Sequence, residues 1–470
     1  MLTDLNWISQ DKPFPPVAEK ERLEAYAQNE KLFLTQHGEV WKKRFARLEF
    51  LYRKRSQDIQ TVLNYHQLLS KKTADFVCSE PPSIETESGG DVLEKLLDKN
   101  RFFSLLYEAV IDVTRYGNGL IKLVGQRATV VSPMHWFPII SPDDLKQIDQ
   151  HVIAYPMAPD DQGRFTQVRA EIHTPGRVET RIHAYSTRDG TGGQLGPLLS
   201  SEASATRLTG AAVFPLSNVT HSSSIYGLDD YAIINGLIEK IMWRLHCADT
   251  IMDKHSEPTI TGPASALEMD ERTGLWLFKA GNYFSRESTD SPDVSYVTWD
   301  GNLEANFKEL ELLLNQLYIL SEMGAAFTEG AGGGSTSSGT ALKLRLVSPR
   351  IKAQRLTGIN DAAVRGAIVA LAAVNNLVLN ENALALTWRD GLPDDPVEDA
   401  QRRSVETGGK QTKSQFSAIK ERGLSDEETE AELEQIRLEM AANSPALLGV
   451  SDPFAEEETG QEAVTNGATA

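Results

Sequence analysis

The stretch "FTEGAGGGSTSSGTALKLRL", residues 327–346, governs how this chain is read. A Gly/Ser-rich loop stands between two segments that both carry helical periodicity. Three readings compete: a phosphate cradle, a passive linker, or a loop that works by moving. The cradle needs G-x-x-x-x-G-K-[ST] after a strand. Gly334 and Gly339 have the glycine spacing, but Thr340 stands where the lysine must reach the β/γ-phosphates, and the preceding element reads as helix. Hydrolysis by Ser335, Thr336, Ser337 or Ser338 lacks the G-x-S-x-G setting. A passive linker usually joins domains. This loop instead joins two amphipathic rods, and Ser338 or Thr340 is placed to cap the second. Gly332, Gly333 and Gly334 make its backbone permissive at a fixed place.

Working outward, the preceding 100 residues have an unusual order. "GLDDYAIINGLIEKIMWRLHCADTIMDKH" predicts one long helix, with Asp229 or Asp230 as its cap and Pro258 as its stop. Short strands follow in "PTITGP", "GLWLFKAGNYFS" and "SYVTWDG". "NLEANFKELELLLNQLYILSEMGAAF" predicts a second long helix. Two rods thus bracket a small β insert, a stalk that is hard to bury within one monomer. After the loop, "SGTALKLRLVSPRIKAQRLTGINDAAVRGAIVALAAVNNLVLN" predicts a further long helix, kinked at Pro349. "ALALTWRDGLPDD" reads as strand and turn. Residues 396–441 read as helical and acidic, with Asp and Glu crowding the first turn after Ser425. Residues 451–470 read as a disordered acidic tail.

The N-terminal half is of a different kind. Residues 18–75 predict helices. Within them "EVWKKRFARLEFLYRKRSQ" is locally basic, either as the solvated face of an amphipathic helix or as a surface for an acidic neighbour. "SEPPSIETESGG" reads as a break. "DVLEKLLDKNRFFSLLYEAVIDVTRYG" reads as one helix closing at Gly117 or Gly119. From there to about residue 223 strands are predicted, with a hairpin over "TQVRAEIHTPGRVETRIHAYS" and a loop over "DGTGGQLGPLLSSEASAT". The fold class is α+β.

The bulk numbers narrow function. A chain of 470 residues has room for several domains. Its net charge of −19 argues against a protein that coats DNA by neutralising phosphates, but not against one that lets DNA pass without sticking. The two cysteines, Cys78 and Cys247, form no CxxC, so neither zinc nor a disulfide framework is implied, and a reducing compartment is the simplest reading. The opening residues lack a secretory signal pattern. The most apolar run, from Gly366, is broken by Asn375 and Asn376 and too short to span a bilayer, so a soluble cytosolic product is expected. His246, Cys247, Asp249 and His255 lack a recognised ligand spacing, and His173 and His183 read as ordinary strand histidines. No catalytic residue, metal or cofactor is expected.

The order of parts resembles the portal proteins of tailed double-stranded DNA bacteriophages, of the siphovirus type. It rests on "EAYAQNEKLFLTQHGEVW", "ADFVCSEPP", the block "DVLEKLLDKNRFFSLLYEAVIDVTRYGNGLIKLV", "YGLDDYAIINGLIEKI", "SGTALKLRL" after the Gly-rich loop, and "LTWRDGLPDD" before the acidic helix. The resemblance implies a wing over 1–228, stem helices over 229–258 and 301–326, and a clip over 259–300. It further implies a tunnel loop over 327–339, a long helix over 340–394 and a crown over 395–450. It implies a ring of typically twelve copies at one capsid vertex, assembled in the host cytoplasm. The ring would serve genome packaging and ejection, and would dock terminase, head–tail connector, major capsid and scaffolding proteins, with no membrane.

On that reading Gly332 to Ser338 collar duplex DNA, and Lys343 and Arg345 contact phosphates or pair across subunits. Glu304, Glu309, Glu311 and Glu322 keep the channel repellent to DNA. The rivals are a nucleotide-dependent or hydrolytic enzyme using the loop, and a coiled-coil scaffold. The helices lack the sustained heptads that the scaffold requires.

Overall fold

The computed structural model describes residues 1–43, 46, 62–87, 89–157, 159–187, 192–256, 260–261, 267–274, 276–278, 295–296, 303–324, 346–380, 383–389, 404–407, 413–420 and 424–442. They fall in two units, Met1–Leu392 and Pro393–Ala470.

The first unit opens with helices α1 (Lys20–Phe33), α2 (His37–Val40) and α3 (Tyr65–Cys78). Asn64 caps α3 by accepting from Gln67 N at 2.8 Å. Most of the basic stretch between α2 and α3 lies outside the described residues. The break at 79–90 contains a short strand, β2 (Ser83–Glu85), which pairs with β15 (Ala385–Thr387).

The helix expected over 91–117 is two helices, α4 (Gly90–Asn100) and α5 (Phe102–Tyr116). Arg101 between them is left-handed, with φ 50°. The Asn100 side chain holds the joint: Nδ2 donates to Leu96 O at 2.9 Å and Oδ1 accepts from Ala128 N at 3.3 Å. Turning there lets Leu93 and Leu97 of α4 face the same core as Phe102, Leu106 and Val113 of α5. Gly117 ends α5 at φ 81°, where a Cβ would lie 2.1 Å from Gly227 O.

The strands form antiparallel sheets. The larger has the order β1 (Pro13–Phe14), β9 (Gly193–Ala205), β8 (Arg177–Thr187), β7 (Phe165–Thr174), β6 (Ile148–Pro156), β5 (Trp136–Ile140). A three-stranded sheet has the order β10 (Val213–Ser217), β3 (Asn118–Val124), β4 (Arg127–Val130). The predicted β7–β8 hairpin is present and turns through Gly176 at φ 71°. Much of the predicted loop over 189–206 is instead β9. It pairs along β8 from Leu195 to Ala205 but buries only Leu195. Backbone hydrogen bonds hold it, so no apolar alternation marks it in sequence.

Helix α8 (Val347–Val374) is the centre of the main core. Leu356, Val364, Ile368 and Leu371 share a core with Ala74 and Val77 of α3 and with Ile121 and Leu123 of β3. By length and composition alone this helix could cross a membrane, yet Val364, Ile368 and Leu371 are completely buried within the protein. Pro349 does not kink it. The described helix opens at Val347, so Pro349 lies in the first turn, where its missing N–H costs nothing. In the second unit, α9 (Gln415–Lys420) precedes α10 (Asp426–Ala442). A capping box starts α10: Glu428 N donates to Ser425 Oγ at 3.3 Å, and Ser425 N donates to Glu428 Oε2 at 2.9 Å. Residues 443–470, including the predicted tail, lie outside the described residues.

One buried ionic cluster joins the two main sheets. Lys122 of β3 meets Glu171 of β7 at 2.7 Å, and both side chains are almost fully buried. Glu171 also accepts from Arg169 Nε at 2.9 Å and lies 3.3 Å from His173 Nε2. Burial pushes the Glu171 carboxyl up, but hydrogen bonds from His173, Lys122 and Arg169 outweigh it and hold the group well below the usual carboxylate range. A depressed folded-state pKa stabilises the protein above the unfolded value and loses that contribution as pH falls toward the folded one. Glu171→Gln strands a buried ammonium, so a loss of about 3–5 kcal/mol in denaturant unfolding is expected at pH 7. The gap to the native chain should narrow only below about pH 4, the ordinary glutamate range. A gap independent of pH would mean that Glu171 is not ionised in the fold.

Candidate functional site

The sequence-derived site residues, Gly332, Gly333, Gly334, Ser335, Thr336, Ser337, Ser338, Lys343 and Arg345, all lie outside the described residues. Described instead are the two roots of their loop and the rods that carry them.

The rods are α6 (Tyr231–Ser256) and α7 (Leu303–Leu320). At 1.5 Å per residue they are roughly 39 and 27 Å long. The second is shorter than the predicted 301–326, because Glu322 turns left-handed at φ 58°. Leu310, Leu313 and Leu317 of α7 share one face and pack on Ile234, Ile238 and Ile241 of α6. Glu309 ties the rods at their middle, 3.1 Å from Lys240 and 2.9 Å from Arg244. Between the rods lie the expected short strands, as two antiparallel pairs: β11 (Ile260–Thr261) with β14 (Ser295–Tyr296), and β12 (Leu267–Met269) with β13 (Trp276–Phe278).

Of the two predicted caps for α6, Asp229 does the work. Its Oδ1 accepts from Tyr231 N at 3.0 Å and from Ala232 N at 2.8 Å. Asp230 has another task. Its carboxylate lies 2.6 Å from Lys352 Nζ of α8 and accepts from Asn218 Nδ2 at 2.9 Å. The Lys352 ammonium, 3% exposed, also donates to Ser321 O at 3.2 Å. One buried lysine therefore binds the start of α6, the end of α7 and the first turns of α8.

A second clamp lies beside it. Arg355 grips Glu322 through both guanidinium NH groups, and Ser348 Oγ donates to Glu322 O at 3.1 Å. The Arg355 hydrogen bonds lower the Glu322 pKa, with burial opposing. Ser321 Oγ accepts from Met323 N at 3.3 Å, which tightens the turn that leaves α7. Both ends of segment 325–345 are thus fixed to one body. The amphipathic pattern gave the rods but not these clamps. A lysine on the otherwise apolar stripe with Ala353 and Leu356 was the available signal.

Three of the four glutamates expected to repel DNA are ion-paired within the subunit. Within the subunit Glu309 is neutralised by Lys240 and Arg244, Glu322 by Arg355, and Glu304 by Lys308 at 2.7 Å. Of the four carboxylates, Glu311 alone has no ion pair among the described residues. The others favour nearby cations over standing as free repelling charges. Among the described residues no cluster of His, Cys, Asp or Glu could hold a metal ion.

Residues 18–204 match the family described as "Phage portal protein, SPP1 Gp6-like". No curated protein matches the chain. Among solved structures, similarity is found to the "Virion of native gene transfer agent (GTA) particle", at 11% identity and a TM-score of 0.42, covering 77% of this chain and 89% of that one. It is found also to the "Neck of empty GTA particle computed with C6 symmetry", at 11% identity and 0.45, covering 77% and 90%.

The two clamps differ in burial, and so in expected cost. Lys352→Met leaves Asp230 without its counter-charge and should cost about 3–5 kcal/mol. Arg355→Gln breaks a pair that is more than one-third exposed on both sides and should cost at most about 1 kcal/mol. Urea unfolding of the two variants checks the order, and equal losses would contradict it.

Proposed function

We propose that this chain, a phage portal protein by the match over residues 18–204, assembles head-to-tail into a ring at a capsid vertex and forms the channel for the genome. The observation that carries this reading is the pair of α6/α7 rods whose loop is anchored at both ends by Lys352 and Arg355. Roots so anchored would hold a glycine-rich segment at a fixed place, which suits a collar around a passing polymer. A head-to-tail contact closes a ring when its rotation closes.

In this reading residues 1–228 are the wing, 229–258 and 301–326 the stem, and 259–300 the clip. Residues 327–339 are the tunnel loop, 340–394 the segment that carries the long helix α8 (Val347–Val374) and, after it, strand β15, 395–450 the crown and 451–470 an acidic tail. Gly332 to Ser338 line the channel. The loop hydroxyls offer neutral hydrogen bonds to phosphates, and Lys343 and Arg345 offer charged ones. The clip docks terminase during packaging and the head–tail connector afterwards. The role is structural, with chemistry left to the motor. The nucleotide-enzyme alternative would need a lysine where Thr340 stands.

Negative-stain electron microscopy with solution mass tests the ring. Annular particles with a channel wide enough for duplex DNA are expected, and a monomer in the presence of its capsid partners would end the reading. Deleting Gly332–Gly334 should leave rings intact and lower the yield of filled heads. Unchanged yield would remove the loop from the mechanism.

A further inference from the structure

Where the N-terminal helices rest on the first rod, the core contains two imidazoles side by side. His37 of α2 and His66 of α3 are both completely buried, and His37 Nε2 lies 3.2 Å from His66 Nδ1. One hydrogen can serve that contact, so the pair closes only while at least one of the two facing nitrogens carries none. Trp41 walls one side, its ring centre 5.1 Å from that of His37, and Tyr231 stands edge-on to His66 at 4.9 Å. Tyr231 opens α6, and its hydroxyl bonds Ser70 Oγ of α3 at 2.8 Å. Leu32, Leu69, Ile234 and Ile238 belong to the apolar cluster around this joint. No carboxylate pairs with either ring among the described residues. Charges on the surrounding elements are matched elsewhere: Lys31 of α1 with Glu39 of α2, Asp230 before α6 with Lys352, and Glu309 of α7 with Lys240 and Arg244. Asp112 and Glu30 face Arg115 of α5, and Lys71 of α3 donates to Gln67.

We infer that the His37–His66 pair is an acid-sensitive latch, which holds α2 and the start of α3 on the first turns of α6 while neutral and releases them when both rings are protonated. In the ring reading above this joint ties the wing to the stem, but the latch is a property of the single subunit. Two imidazolium rings so placed would point hydrogens at each other inside an apolar cluster, with no carboxylate paired to either. Burial pushes the His66 ring down to about 3, helped by His37 and opposed by Asn235 of α6. Burial lowers His37 in the same direction, against the Thr35 backbone. A histidine held low in the fold contributes stability above the ordinary value of about 6.5, and that contribution is lost as pH falls below it. For His66 the opening constant therefore rises up to about tenfold per pH unit below about 6.5, and His37 adds to the slope. The far half of α3 stays in the main core through Ala74 and Val77, so the opening is local.

The test is backbone hydrogen exchange on the full chain between about pH 7.5 and about pH 5, corrected for the intrinsic pH dependence of exchange. Amides of α2 and the first turns of α3 should report an opening that grows at least about fivefold per pH unit below about 6.5, while amides of β7 and β8 do not. That local readout separates the latch from His151, which burial also holds low, at about 4, in the larger sheet. His66→Gln cannot take the proton, so its joint should lose most of the pH slope whatever its level of opening at neutral pH. His37→Gln should flatten the slope as well. A native joint whose opening is independent of pH, or a His66→Gln variant that keeps the native slope, would overturn the latch. The native chain gives a mutation-free check: a His66 ring whose proton resonances titrate near the ordinary value of about 6.5 while the joint stays closed would likewise overturn it. None of these results bears on ring formation, which electron microscopy reads separately.

Discussion

The ion pair between Lys352 and Asp230 is the constraint on which the rest of the architecture hangs. An ammonium that is 3% exposed is tolerable only where a carboxylate and a carbonyl meet it, and Asp230 and Ser321 do so from beside the ends of two different helices. That requirement fixes α8 against both rods at one point. Hydrophobic burial along Leu310, Leu313 and Leu317 can tolerate a slide of one helix on the other, because the hydrophobic effect is non-directional. A buried charge pair cannot, since a slide would strand both charges. The pair sets register where apolar packing only sets proximity.

The same division recurs at the sheets. Leu120 of β3 and Val213 of β10 pack with Trp136 of β5 and Ile153 of β6 and bring the two sheets into reach, and Lys122 with Glu171 selects one alignment. Both polar devices are invisible to any count of hydrophobic periodicity, because each partner lies far from the other in sequence. Both are also the places where one substitution leaves an uncompensated charge rather than a void.

Local signals were legible where local physics decides. The β7–β8 hairpin followed from alternation around Pro175–Gly176, the end of α5 from Gly117, and the start of α10 from Ser425 and the acids after it. The misreadings share a cause. The single helix over 91–117 is broken at Arg101 because Asn100 finds a partner in Ala128, a contact set by the fold. Strand β9 carries no strand signal in the sequence because its stability comes from pairing with β8 rather than from side chains it buries. Pro349 predicts a kink only for a helix that starts a turn or more before it, and α8 starts at Val347. Of the four glutamates expected to repel DNA, Glu309 and Glu322 are paired by Lys240, Arg244 and Arg355 from other helices, Glu304 by Lys308 one turn away, and Glu311 has no ion pair among the described residues.

By itself the sequence determined the α+β class, the rod–insert–rod order, the Gly/Ser loop between helices and the resemblance to phage portal proteins. The first three are properties of composition and short-range periodicity, which are written along the chain; the resemblance rests on particular segments and their order. The tertiary structure alone decided which charges are buried and paired, where α7 ends, and that both roots of the loop are held by α8. It alone decided that His37 and His66 meet inside the core. These depend on the desolvation of groups brought together from distant positions, and that cost does not exist until the chain has folded.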